Sequence, residues 1–242
     1  AAYRFTSGLG ELKGQGTLQL ASANFPAVSV NTFVNSGGGT TEYRNSANIN
    51  LSSAQATYNH LIINPSAGIT VTQLSDITIN GDFQVKQGTY RINDNSSGAA
   101  ATRDLTIYGN VTVYSGAAIS VGNGSTNTTI TPTGITGGTA PFLNYYEHFH
   151  RVVIYGDFTN NGTVRFTNLS SPVYNAFPPL GSGASSGAAS VYFMGNNNNT
   201  LLCNGTTDFY NLILDKGSDQ TYSLTVQPSA YGNFRLFGAN TS

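Results

Sequence analysis

Charged side chains are scarce in this sequence. Asp, Glu, Lys and Arg make up 9% of its 242 residues, against about a quarter in a typical globular domain. The formal net charge is −1 and no basic run occurs. Nucleic acid is therefore not expected as a partner, because that binding needs clustered Lys and Arg. Hydrophobic residues at 39% and aromatic residues at 11% nevertheless exclude a disordered chain.

Cysteine, long apolar runs and helical patterns are lacking as well. The single Cys203 excludes an internal disulfide and a cysteine-based metal site. No apolar run approaches the ~20 residues that span a bilayer, so we expect no membrane insertion. The opening "AAYRFTSG" shows no basic start followed by an apolar stretch, which suits a processed secreted chain or a fragment of a longer protein. Apolar residues nowhere recur at helical spacing with caps.

An internal repeat is what the sequence does contain. Three segments share a pattern of alternating apolar residues, then Gly, then Asp or Asn, then an apolar residue: "DITINGDFQV", "DLTIYGNVTV" and "RVVIYGDFTN". Gly81 and Gly109 are 28 residues apart, and Gly109 and Gly156 are 47 apart, the same period plus an insertion of 19. We expect these glycines, together with Gly232, at turns that need a positive φ or a sharp corner.

A longer correspondence joins "YNHLII" (58–63) with "FYNLIL" (209–214), at a shift of 151 residues. The same shift carries Gly81 onto Gly232. This predicts one full superunit and the start of another.

Short strands joined by corners, each unable to bury its own core, must stack on their neighbours. The sequence therefore predicts an all-β fold, a right-handed parallel β-helix or β-solenoid, as a single domain over 1–242. The alternative is an antiparallel β-sandwich, which the scarcity of Asn-Gly hairpin turns disfavours. Three low-complexity tracts, 96–102, 122–140 and 170–190, are expected to be loops that project from corners.

The pattern of "FYNLIL", "IYGDFTNNGTVRF" and "ITINGDFQVKQGTYRI" resembles the repeat region of large secreted Bacteroidetes cell-surface, adhesin-like proteins. The resemblance covers most of residues 40–240 and implies a β-helix exported to the cell surface. It carries over core and turn positions only. The secretion domain usual at the C-terminus of such proteins is absent from this sequence, which fits a fragment.

The stretch "NYYEHFHR" (144–151) is the most prominent candidate site. His148 and His150 are spaced i, i+2 and would face the same way on a strand, where two imidazoles could help to hold zinc. Glu147 would point to the other face, and His60 could contribute only from a neighbouring coil. We favour a structural interpretation, with His150 and Arg151 at solvent-facing corner positions and no metal or cofactor.

Enzymatic activity is the alternative that a β-helix keeps open, because carboxylates on one face could act as acid and base. Asp76 and Asp104 share a repeat position, as do Asp82 and Asp157. Repeated Asp residues are more typical of turns, where the carboxylate accepts backbone amides. We therefore predict no catalytic residues.

Tyrosine is the remaining feature, with 14 residues. Tyr108, Tyr114 and Tyr155 fall at outward strand positions and either pack on neighbouring coils or contact a partner. The sequence predicts a non-catalytic extracellular structural or adhesive module, a stiff spacer or contact surface that could self-associate into fibres. Its expected partners are other surface proteins, glycans or copies of itself, and its predicted contact surface is Tyr145, Tyr146, His148 and His150. A polysaccharide lyase or hydrolase, or a glycan-binding module, is the alternative.

Overall fold

The computed structural model describes residues 9–93, 103–122, 129–130, 150–167, 184–185 and 188–236. Within these ranges the chain is all-β and contains no helix. Most of the strands belong to three parallel sheets. Two small pairs complete the set: β1 (Leu9–Leu12) with β3 (Val28–Asn31), parallel, and β15 (Thr129–Ile130) with β19 (Ala184–Ser185), antiparallel.

Sheet 1 has eight strands, in the order β2 (Thr17–Leu20), β4 (Thr40–Tyr43), β7 (His60–Ile63), β10 (Phe83–Val85), β13 (Val111–Val113), β17 (Phe158–Asn160), β21 (Asn199–Cys203) and β24 (Leu224–Pro228). Sheet 2 has seven, in the order β5 (Ile49–Asn50), β8 (Thr70–Gln73), β11 (Thr89–Ile92), β14 (Ala118–Val121), β18 (Thr163–Arg165), β22 (Thr207–Phe209) and β25 (Phe234–Leu236). Sheet 3 has six, in the order β6 (Thr57–Tyr58), β9 (Ile77–Ile79), β12 (Asp104–Ile107), β16 (His150–Ile154), β20 (Ala189–Met194) and β23 (Asn211–Asp215).

From β4 onward the chain visits the three sheets in turn, and each return to a sheet lies beside the strand of the previous visit. This is the architecture of a parallel β-helix, and it confirms the predicted fold class. The coils differ in length. Thr41 pairs with Leu61, 20 residues on, whereas Val111 pairs with Phe158, 47 residues on. The period of 28 residues seen between Gly81 and Gly109 is therefore the length of one coil, here from Phe83 to Val111, and other coils have other lengths.

Alternating strand residues build the core, as the period of two requires. Ile79, Ile107 and Ile154 lie in register on adjacent coils and are at most 1% exposed. A single hydrophobic cluster runs from Tyr43 to Phe209. The inward positions predicted from the repeat are all buried: Ile77, Ile79, Leu105, Ile107, Val152 and Ile154.

Three of the repeat glycines, Gly81, Gly109 and Gly156, stack on adjacent coils, and they do so without a positive φ. Among the four, only Gly232 has one, at 86°. Gly109 donates its amide to the Gly81 carbonyl at 3.0 Å, and a Cβ added to Gly109 would lie 2.6 Å from that oxygen. At Gly109 and Gly156 the requirement is therefore close backbone approach between coils, and at Gly81 it is the His60 imidazole, 2.6 Å from an added Cβ. None of the three needs a left-handed turn.

The superunit predicted from the 151-residue shift is wrong. The "HLII" part of the first segment is β7 in sheet 1, whereas "NLILD" is β23 in sheet 3. The two segments share a strand pattern but lie on different sides of the coil. The reason is that coil length varies, so a constant shift does not return the chain to the same side.

The three low-complexity tracts share one corner. The tract 96–102 lies between β11 and β12, 122–140 between β14 and β16, and 170–190 between β18 and β20. Each of these connections runs from sheet 2 to sheet 3. The second tract contains β15 and the third contains β19 and the start of β20; the remaining residues of the tracts, apart from Gly122 and Ala188, lie outside the described ranges.

Candidate contact surface

The outer face of sheet 3 carries a stacked tyrosine pair, an arginine–tyrosine contact and an ion pair. Register places its outward side chains in rows that run across the coils. One row contains Asp104, Arg151 and the buried Ser190, the next Thr106, the buried Val153 and Tyr192, and the third Tyr108 and Tyr155. Within each row the side chains come from adjacent coils, which are about 4.8 Å apart. We call this the sheet 3 face.

Tyr108 and Tyr155 stack on this face, with ring centroids 4.8 Å apart and an angle of 18° between the ring planes. Tyr108 is 51% exposed. Tyr155 also lies against Gly195, where an added Cβ would be 3.0 Å from its ring. The outward position predicted for these tyrosines is confirmed. One ring face of each is covered by the other, and the half-exposed Tyr108 ring is what the stack offers a ligand.

The Arg151 guanidinium is the positive charge of the sheet 3 face. It lies 5.2 Å from the ring centroid of Tyr192, and its Nη1 is 3.8 Å from Oδ2 of Asp104. Partial burial raises the pKa of Asp104, the Asp76 carboxylate raises it further, and Arg151 opposes both effects. The predicted stacking of Asp76 and Asp104 is confirmed, because Leu105 pairs with Ile77 and the Asp104 amide donates to Asp76 Oδ1 at 2.9 Å.

His150 is not at a solvent-facing position, so that prediction is wrong. Its residue is fully buried, and its Nδ1 accepts the backbone amide of Arg103 at 2.8 Å. The cause is the corner at the start of β16, where the imidazole closes onto the preceding coil. Arg151 is half-exposed, as predicted. Tyr145, Tyr146 and His148 lie outside the described residues.

His60 and His150 are not brought together, because they lie in sheets 1 and 3. The Nδ1 atom of His60 accepts the Asp82 amide at 2.9 Å. Within the described ranges no group of three or more His, Cys, Asp or Glu side chains is placed to hold a metal ion.

The repeated Asp and Asn side chains form a ladder at the corner between sheets 3 and 1. Asp82 Oδ1 accepts the amide of Asn110, Asn110 Oδ1 accepts that of Asp157, and Asp157 Oδ1 accepts that of Thr200, each at 2.9 Å. The prediction that these side chains stack and accept backbone amides is confirmed. Each one satisfies a donor that the corner would otherwise leave to water.

Asp208 is the centre of an ionic cluster that the sequence did not reveal. It is fully buried in β22, and Arg165 Nε contacts its Oδ2 at 3.0 Å. Arg235 binds it with two nitrogens, at 2.7 and 2.8 Å. Three coils are thereby joined at β18, β22 and β25. Arg165 and Arg235 lie 43 and 27 residues from Asp208 in the sequence, and the three share no motif. Their contact could be predicted only if the lengths of the coils were known.

The coil formed by β23, β24 and β25 leaves inward-facing apolar side chains uncovered. Leu214 pairs in register with the buried Phe193 yet is 58% exposed. Val226 pairs with the buried Leu201 and is 37% exposed, and Leu236 is 56% exposed. No strand in the described part of the chain pairs with the outer edges of these three strands. We call this surface the open end.

Comparisons with protein-family models, with curated proteins and with solved structures found no significant match to this chain. The described residues also include no helix long and apolar enough to cross a membrane.

Proposed function

We propose that the chain is a non-catalytic structural and adhesive module of a bacterial surface protein, acting as a stiff spacer that presents a contact surface. The observation that carries this proposal is that acidic side chains bind groups on the adjacent coil. Asp82, Asp157 and Asp208 are all engaged in holding one coil to the next. The extracellular location rests on the resemblance of the repeats to those of secreted surface proteins and on the low charge content.

Stiffness follows from the stacking. Parallel strands hydrogen-bond along the whole axis in three sheets, and each coil is clamped to its neighbours by main-chain bonds and by side-chain ladders. Quasi-one-dimensional stacks of this kind are stabilised by contacts between nearest neighbours, and they can be extended by adding coils.

The open end supports end-to-end association of copies. Exposed strand edges beside uncovered apolar side chains recruit further strands, and a head-to-tail contact that does not close gives filaments. Sedimentation velocity over a range of concentrations tests this. We expect the wild type to grow in mass with concentration, and we expect Leu214→Glu with Leu236→Glu to stay monomeric.

Tyr114→Glu is the matched control, because Tyr114 is 40% exposed but lies beside sheet 1 away from the open end. It should associate as the wild type does. A monodisperse wild-type monomer at high concentration would remove self-association from the proposal.

The sheet 3 face is the proposed adhesive surface, and glycans or other surface proteins are its proposed ligands. Tyrosine hydroxyls and edges beside an arginine suit polar partners such as sugars. A glycan array probed with the wild type and with Tyr108→Ala should show binding that the variant loses. Equal binding by both proteins would place the adhesive surface elsewhere.

A carbohydrate-active β-helix enzyme is the second candidate. One observation favours it: the Asp76 and Asp104 carboxylates are neighbours, the pKa of Asp104 is raised, and Arg151 adjoins them. Such a pair can supply an acid and a base. Release of reducing ends or unsaturated products from a polysaccharide panel, lost in Asp104→Asn, would support it. No release from any polysaccharide would eliminate it.

A further inference from the structure

Lys216 is a lysine almost removed from solvent, directly after β23. It is 8% exposed. Its Nζ lies 2.5 Å from Oδ1 of Asn199 and 3.4 Å from the carbonyl oxygen of Met194. Since a carbonyl bond is about 1.23 Å long, Nζ is within about 3.7 Å of the Asn199 carboxamide carbon. An amine and an amide carbon are thus held close to reacting distance, which is about 3–3.5 Å.

Asn199 is itself 6% exposed, at the start of β21. Its Nδ2 donates to the Tyr155 carbonyl at 3.2 Å and lies 3.4 Å from Oδ1 of Asp157. A carboxylate therefore adjoins the amide nitrogen that would leave if the carboxamide were attacked. Asp157 is fixed there because the same oxygen accepts the Thr200 amide at 2.9 Å.

We propose that Lys216 and Asn199 become joined by an isopeptide bond, with Asp157 carrying the proton. In this reaction the uncharged Lys216 amine attacks the Asn199 carbon. The Nζ–Cγ bond forms and the Cγ–Nδ2 bond breaks. One proton passes from Nζ through the Asp157 carboxylate to Nδ2, and ammonia leaves. No oxidant, reductant or cofactor is needed, because one amide replaces another.

The surroundings of Lys216 favour the reactive form of its amine. Burial lowers the pKa of Lys216, while the Asp157 charge opposes that effect. Only the neutral amine is a nucleophile, so removal from water serves the attack. A lysine used merely as a cation would gain most from a carboxylate as its nearest partner, whereas its shortest contact here is a neutral carboxamide.

The bond would close a covalent loop from residue 199 to residue 216, which contains one strand of each of the three sheets, β21, β22 and β23. It goes beyond the proposed function and does not depend on it. A protein that lacks the bond could still be a spacer, and one that has it could still be an enzyme.

Mass spectrometry of the full chain tests the proposal. We expect the purified wild type to be lighter than its sequence by one ammonia. Tryptic cleavage after Lys216 should fail, because the bonded amine is no longer a substrate. The digest should then contain a peptide of 166–235, light by one ammonia, instead of separate peptides 166–216 and 217–235.

Three variants complete the experiment. Lys216→Arg and Asn199→Ala should each restore the full sequence mass, whether or not they fold as well as the wild type. Asp157→Asn keeps an acceptor for the Thr200 amide but cannot take the proton, so it should retain the fold and lose most of the bonded product. Bonded product at the wild-type level in Asp157→Asn would overturn the role of Asp157.

Succinimide formation at an Asn-Gly sequence, such as Asn161-Gly162 or Asn204-Gly205, also releases one ammonia and must be distinguished. Hydroxylamine opens a succinimide and leaves an isopeptide bond intact. A mass loss that survives hydroxylamine and maps to Asn199 and Lys216 supports the proposal. A wild type of full sequence mass that trypsin cleaves after Lys216, or a mass loss that hydroxylamine removes, overturns it.

Discussion

The carboxylate of Asp82 accepts the backbone amide of Asn110, its counterpart one coil further along, at 2.9 Å. The relationship repeats from Asn110 to Asp157 and from Asp157 to Thr200. It explains why Asp and Asn alternate freely at this position. Both side chains offer the oxygen that the corner needs, and a charge is not required.

This ladder predicts a difference between two substitutions of Asp82. Asp82→Ala removes the acceptor and leaves the Asn110 amide to water, which should lower the free energy of unfolding by about 1 kcal/mol. Asp82→Asn keeps the acceptor and should unfold close to the wild type. Urea denaturation followed by circular dichroism measures both. Equal loss in the two variants would show that the charge matters and not the acceptor.

The glycine stack predicts that Gly109→Ala is far more costly than an ordinary surface substitution. The new methyl group would lie 2.6 Å from both the Gly81 carbonyl oxygen and Oδ1 of Asp82. The Gly81 backbone cannot move aside easily, so we expect the free energy of unfolding to fall by about 1–3 kcal/mol. Thermal unfolding checks this.

Gly16→Ala is the control for that experiment, since a Cβ at Gly16 would meet nothing within 4 Å. It should leave the thermal midpoint nearly unchanged. If Gly109→Ala and Gly16→Ala have the same thermal midpoint, the close approach of Gly109 and Gly81 does not constrain the coil.

Loss of the Asp208 carboxylate should lower the free energy of unfolding strongly, because arginines from the two adjacent coils bind it. Asp208→Ala leaves two guanidinium groups without their carboxylate. Breaking a fully buried pair costs about 3–5 kcal/mol. Because the Arg165 and Arg235 side chains are 26% and 44% exposed, solvent screens part of that, and we expect about 2 kcal/mol.

A matched change separates charge from packing in this cluster. Asp208→Asn keeps the shape and a carbonyl oxygen but not the charge, so it should be destabilised by less than Asp208→Ala. High salt should narrow the gap between the wild type and Asp208→Asn. A wild-type stability in Asp208→Ala would mean that the cluster does not hold β18, β22 and β25 together.

The sequence was informative wherever structure is local. Alternation predicted the buried positions Ile77 and Ile79, and the repeated Gly-Asp corner predicted the stacking of Asp82 on its counterparts, because both depend on a few neighbouring residues. The fold class followed, since short strands with such corners can bury a core only by stacking.

What sequence reasoning missed depends on coil length, which varies from 20 to 47 residues in the register of sheet 1. The Asp208 cluster and the approach of Lys216 to Asn199 arise only once the lengths of intervening coils are known. His150 was misplaced for a related reason. Its neighbours in the sequence suggested an outer corner, but the previous coil covers it through the Arg103 amide.

Three buried tyrosines fill the core of the early coils. Tyr43 and Tyr58 share a hydrogen bond between hydroxyls at 3.1 Å, and Tyr90 donates to Gln73 Oε1 at 2.8 Å. Burial raises the pKa of all three phenols above the ordinary value of 10.0. For Tyr58 and Tyr90 the charge of neighbouring tyrosines adds to the effect. The folded state therefore favours the protonated phenol.

Alkaline pH should unfold the protein through these tyrosines. Their folded pKa values lie above the unfolded value, so the stability they contribute is complete below about pH 10 and is lost above it. For each of the three tyrosines, the free energy of unfolding should fall by about 1.4 kcal/mol per pH unit above pH 10. Urea midpoints at stepped alkaline pH measure that slope. Tyr90→Phe removes one phenol and should reduce the slope by about 1.4 kcal/mol per pH unit. An unchanged slope in Tyr90→Phe would show that Tyr90 does not resist ionisation in the folded chain.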